Sequence, residues 1–457
     1  MLPAIISSRE DDVNAGDTAW VLVSAALVML MTPGLAFFYG GMVRAKSVLN
    51  MLMMSFIALA VVSVLWVLYG YSLAFGNDVG GGLLGGGDFL GGANLLGETA
   101  LVGTLPMTVF MVFQMMFAII TAALISGAIA DRAKFWAWTL FIAVWVTIVY
   151  FPVAHWVFNF DGTTGTDFVG GWIANKLGAL DFAGGTAVHI NAGAAGLALA
   201  LVLGKRKGWP RESMRPHNLP FVLLGAGLLW FGWYGFNAGS AVTAGELAGV
   251  AFLTTTVATG AAVLGWLVVE QFRDGKPTTL GAASGAIAGL VAITPAAGFV
   301  NPIGALVIGV VAGALCALAV SIKYKLGFDD SLDVVGVHLV GGLVGTLMIG
   351  LLATDSVNSA GSNGLFYGGG LGLLGKQALA AVVVMAYSFV LTYVLGFIIN
   401  KTIGFRASEE AEVTGIDESE HAESAYEFSS LRSGGAGVGK AADVLTKRVA
   451  ANSGKEG

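Results

Sequence analysis

The stretches DFAGGTAVHINAGAAG, at residues 181–196, and DSLDVVGVHLVGGLVG, at residues 330–345, are two copies of one pattern. Aligned on their histidines, both read D-x6-V-H-[I/L]-x-x-G-x-x-G, so that Asp181 and Asp330 each stand eight residues before a histidine. Both copies are apolar and rich in small residues, which let helix backbones approach each other closely inside a bilayer. The repeat therefore predicts two related membrane helices that contact each other.

Eleven stretches of the chain are apolar and long enough to cross a bilayer, which takes about 20 such residues per helix. The two copies are the fifth and the tenth of these stretches. If helices one to five repeat as helices six to ten, the halves have opposite membrane topology, and the solute site of such inverted repeats lies at their interface. The eleventh helix falls outside the repeat. The stretches lie near 18–42, 49–76, 105–130, 135–155, 182–203, 218–240, 247–271, 279–296, 302–323, 334–353 and 373–400.

The composition agrees with an all-α integral membrane protein. Of the 457 residues, 56% are hydrophobic and 11% are charged, whereas soluble domains carry about 25% charged residues. The formal net charge of −6 provides no basic surface for nucleic acid. The single cysteine, Cys316, excludes an intrachain disulfide. Because no H-E-x-x-H motif, nucleophile–base arrangement or P-loop occurs, we expect neither an enzymatic reaction nor a cofactor.

Lysine and arginine are unevenly distributed between the two sides of the predicted helices. Of the 18 basic residues up to position 406, 15 lie in connections that follow odd-numbered helices, and the others are Arg9, Lys176 and Lys376. Positive charge marks the cytoplasmic side. We therefore expect a multi-pass protein of the cell membrane with an external N-terminus and a cytoplasmic C-terminus, which an odd number of helices also requires.

The chain divides into four regions by composition. Residues 1–17 are expected to form an external segment without the features of a secretory signal, and 18–404 to form the eleven-helix domain. The external connection 77–104 within it is rich in glycine and is typical of an exposed linker rather than a phosphate-binding loop. Residues 405–432 are predicted to form a cytoplasmic segment, and 433–457 a disordered tail.

Ionisable side chains at membrane depth are costly and tend to mark function. His189 and His338 occupy related positions of the two copies, about two turns into their helices. They either face each other in one solute pathway or are separate core histidines bonded to backbone carbonyls, and the repeat favours the first interpretation. A pair of neutral imidazoles can donate and accept hydrogen bonds, which suits ammonia, and histidine titrates near neutral pH, which suits proton relay. We expect an interfacial or helix-capping position for His155, and no special role for His217 and His421.

Three carboxylates stand at the N-terminal ends of these two helices. We expect Asp330 and Asp333 to cap a helix by accepting hydrogen bonds from free backbone N–H groups. Asp181, on the external side, is expected to cap the fifth helix and also to attract a cation. No carboxylate belongs to the histidine–glycine runs themselves, and zinc would need three or four donors, so we expect no metal site.

Aromatic residues are dense around the predicted pathway. Trp233, Phe236 and Ser240 follow one another at offsets of three and four residues, so they share one face of the sixth helix. Phe117 lies in the third helix. An aromatic stripe at this spacing is more often packing than function, but a hydroxyl beside aromatic rings could bind a small cation by a hydrogen bond and by cation–π attraction.

Four segments, PGLAFFYGG, DFAGGTAVHIN, GWYGFNAGSA and DDSLDVVGVH, together resemble the ammonium transporter family (Amt/Mep/Rh), particularly its bacterial Amt branch. The resemblance covers roughly residues 15–430 and keeps its order throughout. It implies a homotrimer with one pore per subunit that carries ammonium, or methylammonium as an analogue. GIDESEHAESAYEF resembles the cytoplasmic regulatory motif of the family, whose bacterial members are often blocked by a PII signalling protein.

The resemblance also implies roles for individual residues. Phe117 and Phe236 correspond to the stacked phenylalanines that gate the outer mouth of the pore. Ser240 corresponds to the hydroxyl of the external ammonium site, and Trp233 to an aromatic that lines the pore. The remaining matches are His189 and His338 for the twin histidines of the pore, Asp181 for the external aspartate, and Thr186 for a polar residue near the pore.

One position departs from the family pattern. The external site usually includes a tryptophan in a segment like HWVW, but residues 155–158 read HWVF and are followed by the inserted stretch NFDGTTGTDFVGG. Trp172 would substitute for the missing tryptophan if the insertion folds back, and spacing does not decide between Phe158 and Trp172. A phenylalanine ring attracts cations less well than tryptophan, so the departure bears on external affinity more than on function.

Ammonium and potassium are close in size, so a sieve alone does not separate them. Moving a bare ion into apolar surroundings costs far more free energy than moving a neutral polar molecule. Of the two ions, only ammonium can avoid this cost, because it can lose a proton. The sequence therefore predicts capture of NH4+ outside, deprotonation, and passage of NH3 along the histidines, with the fate of the proton left open. The alternatives are an ammonium sensor that signals through its tail, and an Rh-like channel for neutral gas, against which Ser240 argues.

Overall fold

The computed structural model describes residues 13–97 and 100–426. Most of the predicted external N-terminal segment and the whole predicted disordered tail lie outside these residues. The described part is largely helical, and its strands form one short antiparallel hairpin, β1 (Leu101–Val102) and β2 (Leu105–Pro106), in which Leu101 pairs with Pro106. Short helical turns at Leu90–Gly92, Ile173–Leu177 and Leu365–Tyr367 lie in the connections.

Within the described residues, ten helices are long and apolar enough to cross a membrane, and one further apolar helix is shorter. The predicted fold class is confirmed, and the eighth predicted span is a helix of 15 residues, shorter than the other ten. This helix ends at Ile293, two residues before Pro295, because proline has no backbone N–H group to donate to the carbonyl oxygen four residues earlier. In chain order the helices are α1 Ala15–Met42, α2 Val48–Phe75, α3 Met107–Ile129, α4 Phe135–Phe158, α5 Gly185–Leu203, α6 Leu219–Gly239, α7 Glu246–Asp274, α8 Thr279–Ile293, α9 Pro302–Leu326, α10 Val335–Leu352 and α11 Gly372–Thr402.

Equivalent helices of the two predicted repeats pack against each other. The long helix α1 lies along α6, and α5 crosses α10, while α11 packs against α5 from outside the repeat. Both α5 and α10 begin with a π-helical turn, Gly185–Ile190 and Val335–Leu339, and each turn contains a histidine. Such wide turns occur mostly as single insertions in helices, frequently at functional sites.

Two glycines of the repeated motif allow α5 and α10 to approach this closely. A Cβ atom at Gly193 would lie 2.5 Å from the backbone nitrogen of Leu339, next to His338. A Cβ atom at Gly342 would lie 3.1 Å from both the Gly185 oxygen and the Cβ atom of His189. Each glycine therefore lies against the histidine-bearing turn of the other helix, and the contact is reciprocal.

A cluster of buried charges joins the loops at the end of the bundle that the basic residues predict to be cytoplasmic, which is called the inner end. This inner charge cluster consists of Asp131, Arg132, Arg206 and Asp329. Arg206 donates to Asp329 from its backbone nitrogen (2.8 Å), Nε (2.9 Å) and Nη2 (2.9 Å), and from Nη1 to Asp131 (3.1 Å). Burial alone would raise the pKa of Asp329, but hydrogen bonds from Arg206 and the charge of Arg132 bring it below its ordinary value.

The described part of the predicted cytoplasmic segment, residues 405–426, folds against the same loops. It contains α12 (Glu409–Thr414) and α13 (Ile416–His421). Asp417 accepts hydrogen bonds from the backbone nitrogens of Leu49 (3.0 Å) and Asn50 (2.8 Å) at the start of α2. Glu420 accepts one from the backbone nitrogen of Phe135 (2.9 Å) at the start of α4. The segment thus places carboxylates at two helix N-termini, where the helix dipole favours negative charge.

Two histidines for which the sequence predicted no special role also contact this segment. His217 lies between the carbonyl oxygen of Val43 (2.9 Å from Nδ1) and the hydroxyl of Tyr426 (2.8 Å from Nε2). His421 lies 3.1 Å, through Nε2, from Oδ1 of Asn50. Sequence patterns gave no sign of these contacts, because each joins residues far apart in the chain.

Candidate functional site

The two repeated histidines meet in the centre of the bundle. Their Nδ1 atoms are 3.3 Å apart, and the rings lie nearly parallel, with centroids 5.4 Å apart and 18° between their planes. Both side chains are buried. The hydrogen bond between them uses one nitrogen of each ring, and Nε2 of His189 is buried without a partner in the described part of the chain. That nitrogen is available to a solute, because a neutral imidazole can bond through both of its nitrogens.

Asp181 and Asp330 hold the starts of the two histidine helices. Asp181 accepts hydrogen bonds from the backbone nitrogens of Gly184 and Gly185, both at 2.7 Å, and from the backbone nitrogen (2.8 Å) and hydroxyl of Thr186. Desolvation raises the pKa of Asp181, and these hydrogen bonds act in the opposite direction. Thr186 is buried and bonds directly to this carboxylate.

Asp330 caps its helix in the same way as Asp181, but the nearby Asp333 does not. Asp330 accepts hydrogen bonds from the backbone nitrogens of Val334 (3.1 Å) and Val335 (2.7 Å), as expected for a cap. The capping role expected for Asp333 is wrong. Its carboxylate forms an ion pair with Lys323 at 2.7 Å, and its backbone has a φ of 63°, in the left-handed region.

A continuous aromatic stack leads outward from the histidines. The ring of His189 lies against Trp233, with centroids 5.4 Å apart and an interplanar angle of 17°. Trp233 is held by a hydrogen bond from its Nε1 to Thr294 (2.8 Å) and lies 5.4 Å from Phe236. Phe236 stacks on Phe117 with centroids 4.2 Å apart, and both rings are buried. Helices α3 and α6 therefore bring the predicted gate residues together over the histidine pair.

A cavity of about 580 Å³ opens on the outer side of this stack. Phe117, Ser240 and Asp181 all contribute to its lining. The Ser240 hydroxyl donates to the carbonyl oxygen of Phe236 at 2.7 Å, so its proton is committed and its oxygen remains an acceptor. The cavity thus combines an acceptor, aromatic rings and a carboxylate at the closed outer end of the stack.

The structure distinguishes between the two candidates for the missing tryptophan. Phe158 lines the outer cavity and meets Phe117 edge to face, with centroids 6.2 Å apart. Trp172 packs instead against Trp156 at 6.1 Å, and its ring does not belong to the described lining of the cavity. His155, for which an interfacial or helix-capping position was expected, is fully buried, with Nδ1 3.0 Å from the carbonyl oxygen of Ala74.

Gln377 is a residue of the site that was not predicted from the sequence. It lies on α11, is fully buried, and binds both backbone groups of Leu180: its Oε1 accepts from the nitrogen and its Nε2 donates to the oxygen, each at 2.7 Å. Leu180 lies in the irregular stretch directly before Asp181. Irregular backbone at membrane depth must find partners within the protein. A polar residue in an otherwise apolar helix was the signal that could have indicated Gln377.

A smaller cavity of about 180 Å³ lies at the opposite end of the bundle. Arg206, Glu212, Lys323 and Asp333 contribute to its lining, together with Trp209. This inner cavity is therefore surrounded by charges of both signs, unlike the aromatic outer one.

The chain matches the family model described as the Ammonium Transporter Family over residues 19–426. It belongs to the ammonium transporter family. It is 62% identical over 435 residues to an ammonium transporter of Mycobacterium tuberculosis, and the match covers 91% of each chain. The crystal structure of Mep2 from Saccharomyces cerevisiae is similar, with a TM-score of 0.80, 39% identity and coverage of 88% of this chain and 89% of that one.

A third similar structure is that of a Sensor Amt Protein, with a TM-score of 0.79, 29% identity and coverage of 89% of this chain and 98% of that chain. Together, these similarities confirm the resemblance seen in the sequence. The chain is a multi-pass membrane protein of an ammonium transporter family, and this is a transport family rather than an enzyme family.

Proposed function

We propose that this ammonium transporter captures NH4+ in the outer cavity, removes a proton at the Phe117–Phe236 stack, and conducts NH3 past His189 and His338. The observation that carries this mechanism is the 3.3 Å contact between the two histidines at the inner end of a buried aromatic stack. The outer cavity supplies the capture site, with Ser240 as hydrogen-bond acceptor and Asp181 as a nearby negative charge.

Deprotonation follows from the cost of crossing the stack as an ion. A bare cation in apolar surroundings costs far more free energy than a neutral polar molecule. The rings of Phe117 and Phe236, with centroids 4.2 Å apart, close the direct route between the cavity and the histidines. Ammonia then replaces the lost solvation by hydrogen bonding to the histidines, one of which has an unpartnered Nε2 atom among the described residues. The proton that ammonium gives up passes either to solvent in the outer cavity or to an imidazole nitrogen of the histidine pair, since a neutral imidazole carries one acceptor nitrogen.

Solid-supported membrane electrophysiology on proteoliposomes tests this mechanism. We expect transient currents with ammonium, smaller currents with methylammonium, and none with potassium at the same concentration. Saturation of the ammonium current would support a capture site and would argue against a neutral gas channel. Potassium currents comparable to those of ammonium would overturn the mechanism, because potassium has no proton to lose.

Sensing is a second candidate function, favoured by the similarity to a Sensor Amt Protein and by the folded segment 405–426. A sensor that conducts little would differ from a transporter in flux rather than in fold. Uptake of labelled methylammonium by cells that depend on the protein separates the two. Sustained uptake supports transport, and binding without uptake supports sensing.

We further propose that the protein is a homotrimer of the cell membrane, with an external N-terminus and a cytoplasmic C-terminal segment that regulates transport and meets a PII signalling protein. The contacts of Asp417 and Glu420 with the N-termini of α2 and α4 support a regulatory role. Truncation after Gly404 should therefore change transport or PII inhibition, whereas truncation after Arg432 should matter much less. Equal behaviour of the two truncations would contradict this division, and reporter fusions at both ends test the orientation.

A further inference from the structure

The outer cavity is far larger than its proposed solute. It measures about 580 Å³, whereas a water molecule, which is close to ammonium in size, occupies roughly 30 Å³ in the liquid. Pockets of roughly 300–1,000 Å³ with a mostly apolar lining are typical sites for organic ligands in proteins. The cavity therefore has room for a cation several times larger than ammonium.

The lining of this cavity suits organic cations in particular. Seven phenylalanines contribute to it, including Phe110, Phe158, Phe160 and Phe299. Asp181 is the one charged side chain among the described residues that line it. Aromatic rings attract cations through their faces, and cages of such rings are the usual way in which proteins recognise quaternary ammonium groups.

The inner boundary of the cavity prevents a large cation from going further. Phe117 lines this boundary, and the ring of Phe236 lies directly behind it, with centroids 4.2 Å apart and 32° between the ring planes. A quaternary ammonium ion also has no proton to give up, so it cannot become neutral before it meets the stack. It would remain in the cavity that ammonium must enter.

We propose that the outer cavity binds organic ammonium ions, above all quaternary ones, which compete with ammonium for capture and are not transported. This inference rests on the proposed function, because it takes the outer cavity as the capture site. Phe160, which belongs to the inserted stretch 159–171, adds an aromatic wall that ammonium does not need. Its side chain is 53% exposed at the rim of the cavity.

Choline and its neutral analogue 3,3-dimethylbutan-1-ol provide the direct test, because they differ in charge and hardly in shape. Each is added during ammonium-induced current measurements on proteoliposomes. We expect choline to raise the ammonium concentration at half-maximal current without lowering the maximum, and to produce no current itself. The alcohol should have no effect. Equal inhibition by both compounds, or none by choline at a hundredfold excess over ammonium, would overturn the proposal.

A pair of matched variants locates the site. Phe160→Ala should weaken inhibition by choline about threefold, a larger change than it causes in apparent ammonium affinity. Phe366→Ala is the control, because Phe366 is 69% exposed in the connection between α10 and α11 and does not belong to the described lining. Identical choline inhibition in the two variants would reject the outer cavity as the site. If Phe160→Ala fails to fold, the comparison of choline with the alcohol on the unaltered protein decides.

These experiments can reject the organic-cation site and the transport mechanism independently of each other. Ammonium currents that persist without inhibition by choline would reject the organic-cation site and leave the transport mechanism intact. Absence of saturable ammonium current in the unaltered protein would reject the proposed capture site itself.

Discussion

The outer and inner ends of the proposed pathway use the same arrangement of residues in opposite surroundings. At each end an aspartate eight residues before a histidine holds a π-helical turn through two or more backbone N–H groups. Outside, Asp181 faces a large cavity lined by phenylalanines. Inside, Asp330 lies beside the Lys323–Asp333 ion pair and the inner charge cluster.

The difference teaches how one repeated sequence can serve two purposes. The repeat supplies the same helix start twice, because each copy contains the capping aspartate, the histidine and the glycines that let the helices approach. The residues around each copy decide what that start does. At the outer end, aromatic rings and the one carboxylate of Asp181 suit the capture of a cation. At the inner end, a network of paired charges holds the loops in place and connects them to the C-terminal segment.

The largest expected effect comes from replacing either histidine of the central pair. His189→Ala and His338→Ala should each reduce ammonium current by about tenfold or more, because each removes the partner of a buried hydrogen-bonding group. At least one of them should also admit water and let potassium pass. The measurement is current in proteoliposomes under opposed ammonium and potassium gradients, after the integrity of the purified protein has been checked.

The double variant sharpens this result. Because the two histidines act as a unit, the double variant should lose less ammonium current, expressed as free energy, than the sum of the losses of the two single variants. If both single variants keep the current and the potassium exclusion of the unaltered protein, the histidines are structural and the proposed pathway is wrong.

The inner end should respond to charge removal mainly in stability. Asp329→Asn leaves Arg206 and Arg132 buried without their full partner, and breaking a buried ion pair in this way costs about 3–5 kcal/mol. Asp274→Asn is the matched control, because Asp274 pairs with Arg273 at the exposed end of α7, where ion pairs contribute little. In detergent, the midpoint temperature of thermal unfolding should decrease clearly for Asp329→Asn and hardly at all for Asp274→Asn.

The pH dependence of this effect has a definite sign. The pKa of Asp329 is lowered in the folded protein, so its stabilising contribution is complete above its unfolded pKa of about 3.9. That contribution is lost as the pH falls through the lower, folded pKa. The difference in stability between the unaltered protein and Asp329→Asn should therefore be constant between about pH 5 and 8 and shrink below about pH 4. A difference that disappears near pH 7 would show that Asp329 is not the charged partner.

The outer end depends on a positioning residue from outside the repeat. Gln377→Leu removes the partner of both backbone groups of Leu180, which are partly buried, at a cost of up to about 1–3 kcal/mol for each group. Because Leu180 precedes Asp181, we expect apparent ammonium affinity to fall several-fold while the maximal current falls less. Gln377→Glu retains the acceptor for the Leu180 nitrogen and should recover part of the affinity.

Gln271→Leu is the control for this prediction, since Gln271 is exposed near the inner end of α7. A purely structural role for Gln377 would lower protein yield and maximal current and leave affinity unchanged. That pattern would contradict the assignment of Gln377 as a positioning residue.

The smallest effect is expected at the hydroxyl of the capture site. Ser240→Leu removes an acceptor worth about one neutral hydrogen bond, or roughly 0.5–1.5 kcal/mol, so affinity should fall about two- to tenfold. Folding should change little, because Ser240 lies at the end of α6, where its hydroxyl bonds only to its own helix in the described structure. The yield of folded protein and the apparent ammonium affinity are compared with those of the unaltered protein. Unchanged affinity would exclude Ser240 as a ligand.

Some of these features could be predicted from the sequence because they depend on local pattern. Long apolar runs predict membrane helices, since a bilayer leaves backbone groups no other partners. The repeat predicted that the helices of His189 and His338 would meet, and the offsets in α6 predicted that Trp233 and Phe236 would share a face. Each of these inferences uses only spacing along one element or the similarity of two segments.

Other features were decided by the tertiary structure alone. Asp333 pairs with Lys323 instead of capping a helix, Phe158 rather than Trp172 lines the outer cavity, and Gln377 reaches across from α11 to Leu180. The sequence could not determine them, because each depends on the relative placement of segments whose spacing along the chain carries no information about their distance in space. Composition and hydrophobic periodicity determine which segments enter the membrane. The hydrogen-bond partners of polar groups within the membrane are determined only by the packing of the helices, because packing decides which few groups come within reach of each other.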